Sequence, residues 1–122
     1  MPTALIVDDH ALVRRAIRAG LESYSGFVVC GEAVDGMDAI AQAPVLKPDF
    51  ILLDLSMPGM NGVETASVLK RLLPRVPIVA FSLYAEFLAK SLAATLGIDA
   101  VVAKSDGLGK VIECVRGLLG PA

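Results

Sequence analysis

Five polar side chains stand directly after apolar runs in this sequence. Asp8 and Asp9 follow Leu5-Ile6-Val7, Asp54 follows Phe50-Ile51-Leu52-Leu53, Ser82 follows Ile78-Val79-Ala80-Phe81, and Lys104 follows Ala100-Val101-Val102-Ala103. Three carboxylates brought together uncompensated would repel one another and push at least one pKa upward. A cation therefore belongs among them. Oxygen donors select a hard divalent ion, Mg²⁺ or a substitute such as Mn²⁺, octahedral and partly hydrated. Lys104 adds a fixed positive charge and Ser82 a hydroxyl donor where a doubly charged oxyanion could lie. This is the equipment of phosphoryl transfer to a carboxylate: charge on the equatorial oxygens is neutralised while the carboxylate attacks in line.

Each group taken alone has a plainer reading. An aspartate after a strand is often no more than a helix cap, which covers Asp8 or Asp9 singly, and Ser82 could cap the helix that follows it. Lys104 alone would pass for a surface lysine. Asp54 resists such a reading, because four apolar residues precede it and Leu53 and Leu55 flank it. His10, the only histidine, opens a helix beside Asp9 and reads as structural. Met37, Met57 and Met60 read as loop and core filler. The joint placement carries the weight.

That placement depends on the elements behind it. Five short, β-rich apolar runs, the four above and Val28-Val29-Cys30, alternate with stretches of helical period. Val13, Ile17, Gly20 and Leu21 share one helical face, as do Leu88, Leu92 and Leu96, and then Leu108, Val111, Ile112 and Val115. Strand then helix, repeated, predicts an α/β fold with a parallel sheet and helices on both faces. In such a sheet ligands bind beyond the carboxyl ends of the strands, where strand order reverses, so all five polar residues should share one rim. The punctuation agrees. Pro48 precedes the third strand, Pro58-Gly59 and Asn61-Gly62 break the chain before the third helix, Pro74 and Pro77 separate that helix from the fourth strand, and Gly97 caps the fourth helix. Gly117, Gly120 and Pro121 read as the frayed end of the last helix or the start of a linker.

Size and charge exclude several classes. A chain of 122 residues predicts one domain over 1–122. A net charge of −2 with scattered Lys and Arg does not suit direct nucleic-acid binding. No apolar run is long enough to span a bilayer, and no basic region leads into an apolar stretch at the N-terminus, so a cytoplasmic location is expected. Cys30 and Cys114, far apart and without metal-ligand spacing, read as buried free thiols.

The segments LIVDDHALV (Leu5 to Val13) and PDFILLDLSMPGMNGVE (Pro48 to Glu64) closely resemble the receiver domains of bacterial response regulators. The likeness extends over essentially all 122 residues, and within the family it is nearest to receivers that carry a LuxR or NarL-type helix-turn-helix domain. The resemblance implies a doubly wound, flavodoxin-like (βα)5 fold with sheet order 2-1-3-4-5. It implies that Asp54 is the phosphoacceptor, that Asp8 and Asp9 hold Mg²⁺ together with Asp54 and the backbone carbonyl of Ser56, that Ser82 is the switch hydroxyl and that Lys104 pairs with the phosphate. It further implies a signalling module rather than an enzyme, with a sensor histidine kinase as phosphodonor, a DNA-binding output domain outside this chain, and homodimerisation among the assemblies open to it. Arg14 and Arg18 lie on the first helix, where the family docks its kinase, although a solvated helix face is the better reading of them.

The sequence departs from the family pattern at three places. Val101 stands where an aromatic usually reports the switch, Ser105 stands where a proline commonly follows the lysine, and Leu83 is larger than the alanine often found after the switch hydroxyl. Other classes fit less well. An aspartyl phosphatase of the haloacid dehalogenase type needs a second aspartate at position 56, which is serine. A flavodoxin-like FMN site needs a phosphate-binding loop where Asp8 and Asp9 would repel the cofactor. A receiver-like interaction module that works without phosphorylation remains the alternative.

Overall fold

The computed structural model describes residues 1–24, 26–55, 62–83 and 90–120, with the side chains of 90–92 set aside. Five strands, β1 (Thr3–Val7), β2 (Val28–Ala33), β3 (Phe50–Leu53), β4 (Ile78–Ser82) and β5 (Ala100–Ala103), alternate with five helices. These are α1 (Ala11–Ser23), α2 (Gly36–Leu46), α3 (Gly62–Leu72), α4 (Lys90–Thr95) and α5 (Leu108–Leu119), the last preceded by a 3₁₀ turn over Lys104–Asp106. All strand pairs are parallel and the order is β2-β1-β3-β4-β5, as the family resemblance implies.

The burial of the strands follows from that order. Every residue of β3 and β4 is buried, and β1 is buried from Ala4 on, because these strands have neighbours on both edges and helices on both faces. The outer strands β2 and β5 are only partly buried. Alternate side chains feed two cores. Ile6, Phe50, Leu52 and Val79 pack with Ile17 and Leu21 of α1 and Val111, Ile112 and Val115 of α5. Leu5, Val7, Ile51 and Leu53 point the other way, against Ala39 and Ala43 of α2 and Ala66 and Leu69 of α3. Burying a leucine such as Leu52 contributes about 2–3 kcal/mol.

The sequence breaks act where expected, with exceptions. Gly97 takes φ +87 after α4, where Ile98 N donates back to Ala93 O at 2.9 Å. Leu88 and Leu92 lie outside the residues whose side chains are described, as do Pro58, Gly59, Met57, Met60 and Pro121. Gly117 is inside α5, and Gly120, at φ +76, is the residue that ends it. Met37 is exposed on α2 rather than filling the core, and both cysteines are half-buried rather than buried. Cys30 lies on the edge strand β2, where its thiol donates to Ala4 O at 3.3 Å. Among the described residues no helix is long and apolar enough to cross a membrane.

Candidate functional site

The chain leaves β1 to build β2 on one side, then crosses back to build β3 on the other, so strand order reverses between β1 and β3. Asp8 and Asp54 are the first residues beyond those two strands. Their backbones are held as extensions of the sheet: Asp8 N donates to Ala33 O at 3.1 Å, and Asp54 N donates to Val7 O at 2.9 Å. Both carboxylates are consequently fixed in depth, with Asp8 1% and Asp54 5% exposed. Ser82 is the last residue of β4 and is 1% exposed; Lys104 is the first residue after β5.

Lys104 bridges the two buried acids. Its Nζ donates to Asp8 Oδ2 at 3.0 Å and lies 3.7 Å from Asp54 Oδ2. Asp8 Oδ1 accepts from the His10 backbone N–H at 2.9 Å. One ligand atom from each of Asp8, Asp9, His10 and Asp54 can be chosen so that all lie within 4.8 Å of one another. Asp9 differs from its neighbour. His10 Nδ1 comes within 3.1 Å of Asp9 Oδ1 but without the alignment of a hydrogen bond, so this buried oxygen has no hydrogen-bond partner among the described residues.

These features suit a divalent cation. An unpartnered buried polar atom costs about 1–3 kcal/mol and more when charged, and the donors around it are chiefly carboxylate oxygens, the set a hard cation selects. Asp8, Asp9 and Asp54 could hold such an ion. Ser56, whose carbonyl was expected to join them, lies outside the described residues.

Gly62, the first residue of α3, supports Asp54 from behind. Its N–H donates to Leu55 O at 3.2 Å, and a Cβ built on it would stand 2.3 Å from Leu55 Cα and 2.6 Å from Asp54 O. The helix closes onto the backbone that carries the acid, and only glycine allows that approach. The Asn61-Gly62 pair signals a turn in the sequence, but its closeness to Asp54 cannot be read from a linear pattern.

Arg14 and Arg18 both pair with Glu32. Arg18 Nε donates to Glu32 Oε2 at 2.7 Å and Arg14 Nε to Glu32 Oε1 at 3.2 Å, while Arg14 Nη1 reaches the carbonyl of Asp8 at 2.7 Å. The hydrogen bond from Arg18 and its charge, joined by those of Arg14, hold the Glu32 carboxyl below its usual range against the opposing effect of burial. His10, 68% exposed, belongs to the rim of the acidic cluster rather than to the helix interior. Leu83 is exposed, and Val101 packs toward the core shared by α2 and α3.

Comparison with known proteins agrees with the geometry. The family model for the response regulator receiver domain matches residues 4–116. The response regulator protein VraR of Staphylococcus saprophyticus is 38% identical over 112 residues, covering 92% of this chain and 54% of its own length. The chain thus spans about half the length of the curated relatives it matches. A two-component response regulator of the LuxR family from Aurantimonas sp. SI85-9A1 superposes with a TM-score of 0.89 at 26% identity, over 98% of this chain and 85% of that one. The response regulator TrrA of Thermotoga maritima, crystallised in complex with Mg²⁺-BeF, superposes with a TM-score of 0.84 at 25% identity, over 97% and 99% of the two chains. A doubly wound sheet with acids at its switch point and a family match over nearly its whole length place this chain in the response regulator receiver domain family.

Proposed function

We propose that this chain is the phosphoacceptor module of a two-component response regulator, with Asp54 as the residue that takes the phosphoryl group from a sensor histidine kinase. The observation that carries the reading is the placement of Asp54 within 3.7 Å of the Lys104 ammonium, beside Asp8 and the unpartnered oxygen of Asp9. In the transfer an Asp54 oxygen attacks phosphorus in line, the bond from phosphorus to the donor nitrogen breaks, and that nitrogen keeps the electron pair. Mg²⁺, when bound by Asp8, Asp9 and Asp54, neutralises charge on the phosphoryl oxygens. Lys104 then pairs with one phosphoryl oxygen, and Ser82 donates its hydroxyl to another. That TrrA was crystallised in complex with Mg²⁺-BeF supports a receiver of this fold that takes a divalent cation.

In the whole protein residues 1–122 would be the receiver domain that controls a helix-turn-helix output domain in the cytoplasm; the chain's share of its relatives' length supports a longer protein, and the LuxR-family regulator that superposes on it supports that kind of output. It acts as a signalling switch that catalyses only its own phosphorylation and dephosphorylation, and homodimerisation would be one route to the output. Phosphorylation adds a charge of about −1.5 to −2, which biases a two-state rearrangement toward the α4, β5 and α5 face. The alternative, an interaction module that works without phosphorylation, draws on Val101, which supplies no aromatic ring to report the switch.

The test is incubation with acetyl phosphate and Mg²⁺ followed by intact mass measurement. The wild-type chain should gain one phosphoryl group, lost when the cation is chelated beforehand, and Asp54→Ala should gain none. No wild-type adduct would favour the phosphorylation-independent module.

A further inference from the structure

Asp8 and Asp9 lie in a three-residue connection between β1 and α1, yet they are held by different means. Asp8 is fixed at four points: its N–H to Ala33 O, its Oδ1 by the His10 N–H, its Oδ2 by Lys104 and its carbonyl by Arg14. Asp9 Oδ1 has no hydrogen bond of its own and only the exposed His10 ring beside it, at 3.1 Å, so the backbone is the firmer means of aiming its side chain. The Asp8 carbonyl belongs to the planar peptide unit that joins Asp8 to Asp9. Fixing that carbonyl fixes the plane and with it the position of Asp9 Cα, so that only rotation about the Asp9 N–Cα and Cα–Cβ bonds is left to aim the side chain.

We infer that Arg14 is a positioning residue for the cation site, and that it sets the Asp8–Asp9 peptide plane so that Asp9 faces Asp54. The inference rests on the metal-binding reading above. Arg14 is suited to the task because its side chain is only 13% exposed and its planar guanidinium is clamped on a second side by Glu32, 3.2 Å from Nε. Glu32 is in turn fixed on β2, beside β1, and its carboxylate also accepts from Arg18 at 2.7 Å. The chain of support runs from β2 through Glu32 and Arg14 to the peptide between the two acids.

Charge and position predict opposite signs for the loss of Arg14. Removing a cation next to a carboxylate cluster should tighten binding of another cation by Coulomb's law alone. Loosening the peptide plane should weaken it, by about tenfold if this support resembles the hydrogen-bonded partners of metal ligands elsewhere. The experiment is calorimetric titration of Mg²⁺ into the wild-type chain, Arg14→Gln and Arg18→Gln. We expect Arg14→Gln to bind Mg²⁺ about tenfold more weakly, and Arg18→Gln, which loosens the same glutamate without touching Asp8, to stay within about twofold of the wild type. A purely structural brace would lower the melting temperature of both variants and leave Mg²⁺ affinity in place. Equal or tighter binding by Arg14→Gln, or an equal weakening in Arg18→Gln, would overturn the inference. Should Arg14→Gln not fold, Arg14→Lys, which keeps the charge but not the two-sided fork, decides in its place: weaker binding supports the inference and wild-type affinity overturns it. A wild-type chain that binds no Mg²⁺ would instead remove the metal reading, and the positioning role with it.

Discussion

The two ends of the sheet handle charge differently. At the amino ends of the strands each acid is closed off by its own donors. Asp49 accepts from the Thr3 N–H at 2.7 Å and from the Thr3 hydroxyl at 3.2 Å. Asp99 accepts from the Lys70 ammonium at 2.7 Å and the Ile78 N–H at 2.8 Å, and Lys70 also reaches Val76 O. At the carboxyl ends three aspartates face one lysine, and Asp9 Oδ1 has no hydrogen-bond partner among the described residues. Polar groups that only hold a fold together are matched locally, whereas those that await a ligand keep a charge deficit for it to fill. On the proposed function, stability at the acidic end has been exchanged for cation binding.

The sharpest way to break this contrast is to disturb the acidic end through its backbone. Gly62→Ala drives a methyl group into the Leu55 and Asp54 main chain, so it should lower stability by about 3 kcal/mol and slow phosphoryl uptake at Asp54. Urea unfolding and the rate of adduct formation measure the two effects. Retention of both would mean that the helix can slide without moving the acid.

Exchanging single acids at the two ends sharpens the comparison further. Asp99→Ala strips Lys70 and Ile78 N of a shared acceptor and should cost about 2 kcal/mol, with Mg²⁺ affinity unchanged. Asp9→Asn should do the reverse. It removes a repelling charge, so its melting temperature should equal or exceed that of the wild type, while Mg²⁺ affinity falls about tenfold, equivalent to about 1.4 kcal/mol. Thermal melts and calorimetry on the pair check both. The same ranking at both ends would erase the distinction.

The smallest effect concerns Glu32, which braces α1 against β2. Its carboxyl titrates below the ordinary value of 4.5 because Arg18 and then Arg14 bind its ionised form. The folded chain thus holds this proton more weakly than the unfolded chain. The stabilisation is complete above about pH 4.5 and is lost as pH falls through the lower folded value. Glu32→Gln should flatten the acid side of the stability curve by less than about 1 kcal/mol, since the group is partly solvated. Asp38, lowered by its bonds from Gln42 and Val34 N–H, maintains part of the slope. Denaturant melts between neutral and acid pH would show it, and an unchanged slope in the variant would contradict the brace.

Much of this was legible in the linear sequence because the signals were local. The apolar runs mark the bounds of Phe50–Leu53 and Ala100–Ala103, and the rule that ligands gather at strand carboxyl ends puts Asp8, Asp54 and Lys104 on one rim. The edge strand β2 was read short, since Gly31, Glu32 and Ala33 pair with β1 without looking like a strand. Arg14 and Arg18 read as a solvated face for the same reason. Their partner, Glu32, is 18 and 14 residues away, and its side chain reaches them only once β2 lies beside β1. The close approach of Gly62 to Asp54 likewise depends on how α3 returns over β3. What sequence periodicity does not carry is the contact between elements.

Chemical trapping would catch a phosphoryl group carried on Asp54. An aspartyl phosphate is an acyl phosphate, which borohydride reduces to homoserine. After treatment with acetyl phosphate and Mg²⁺, then borohydride and proteolysis, peptide mass mapping should find homoserine at position 54 and nowhere else. Homoserine at position 8 or 9, or a phosphate adduct that maps to no aspartate, would contradict the account.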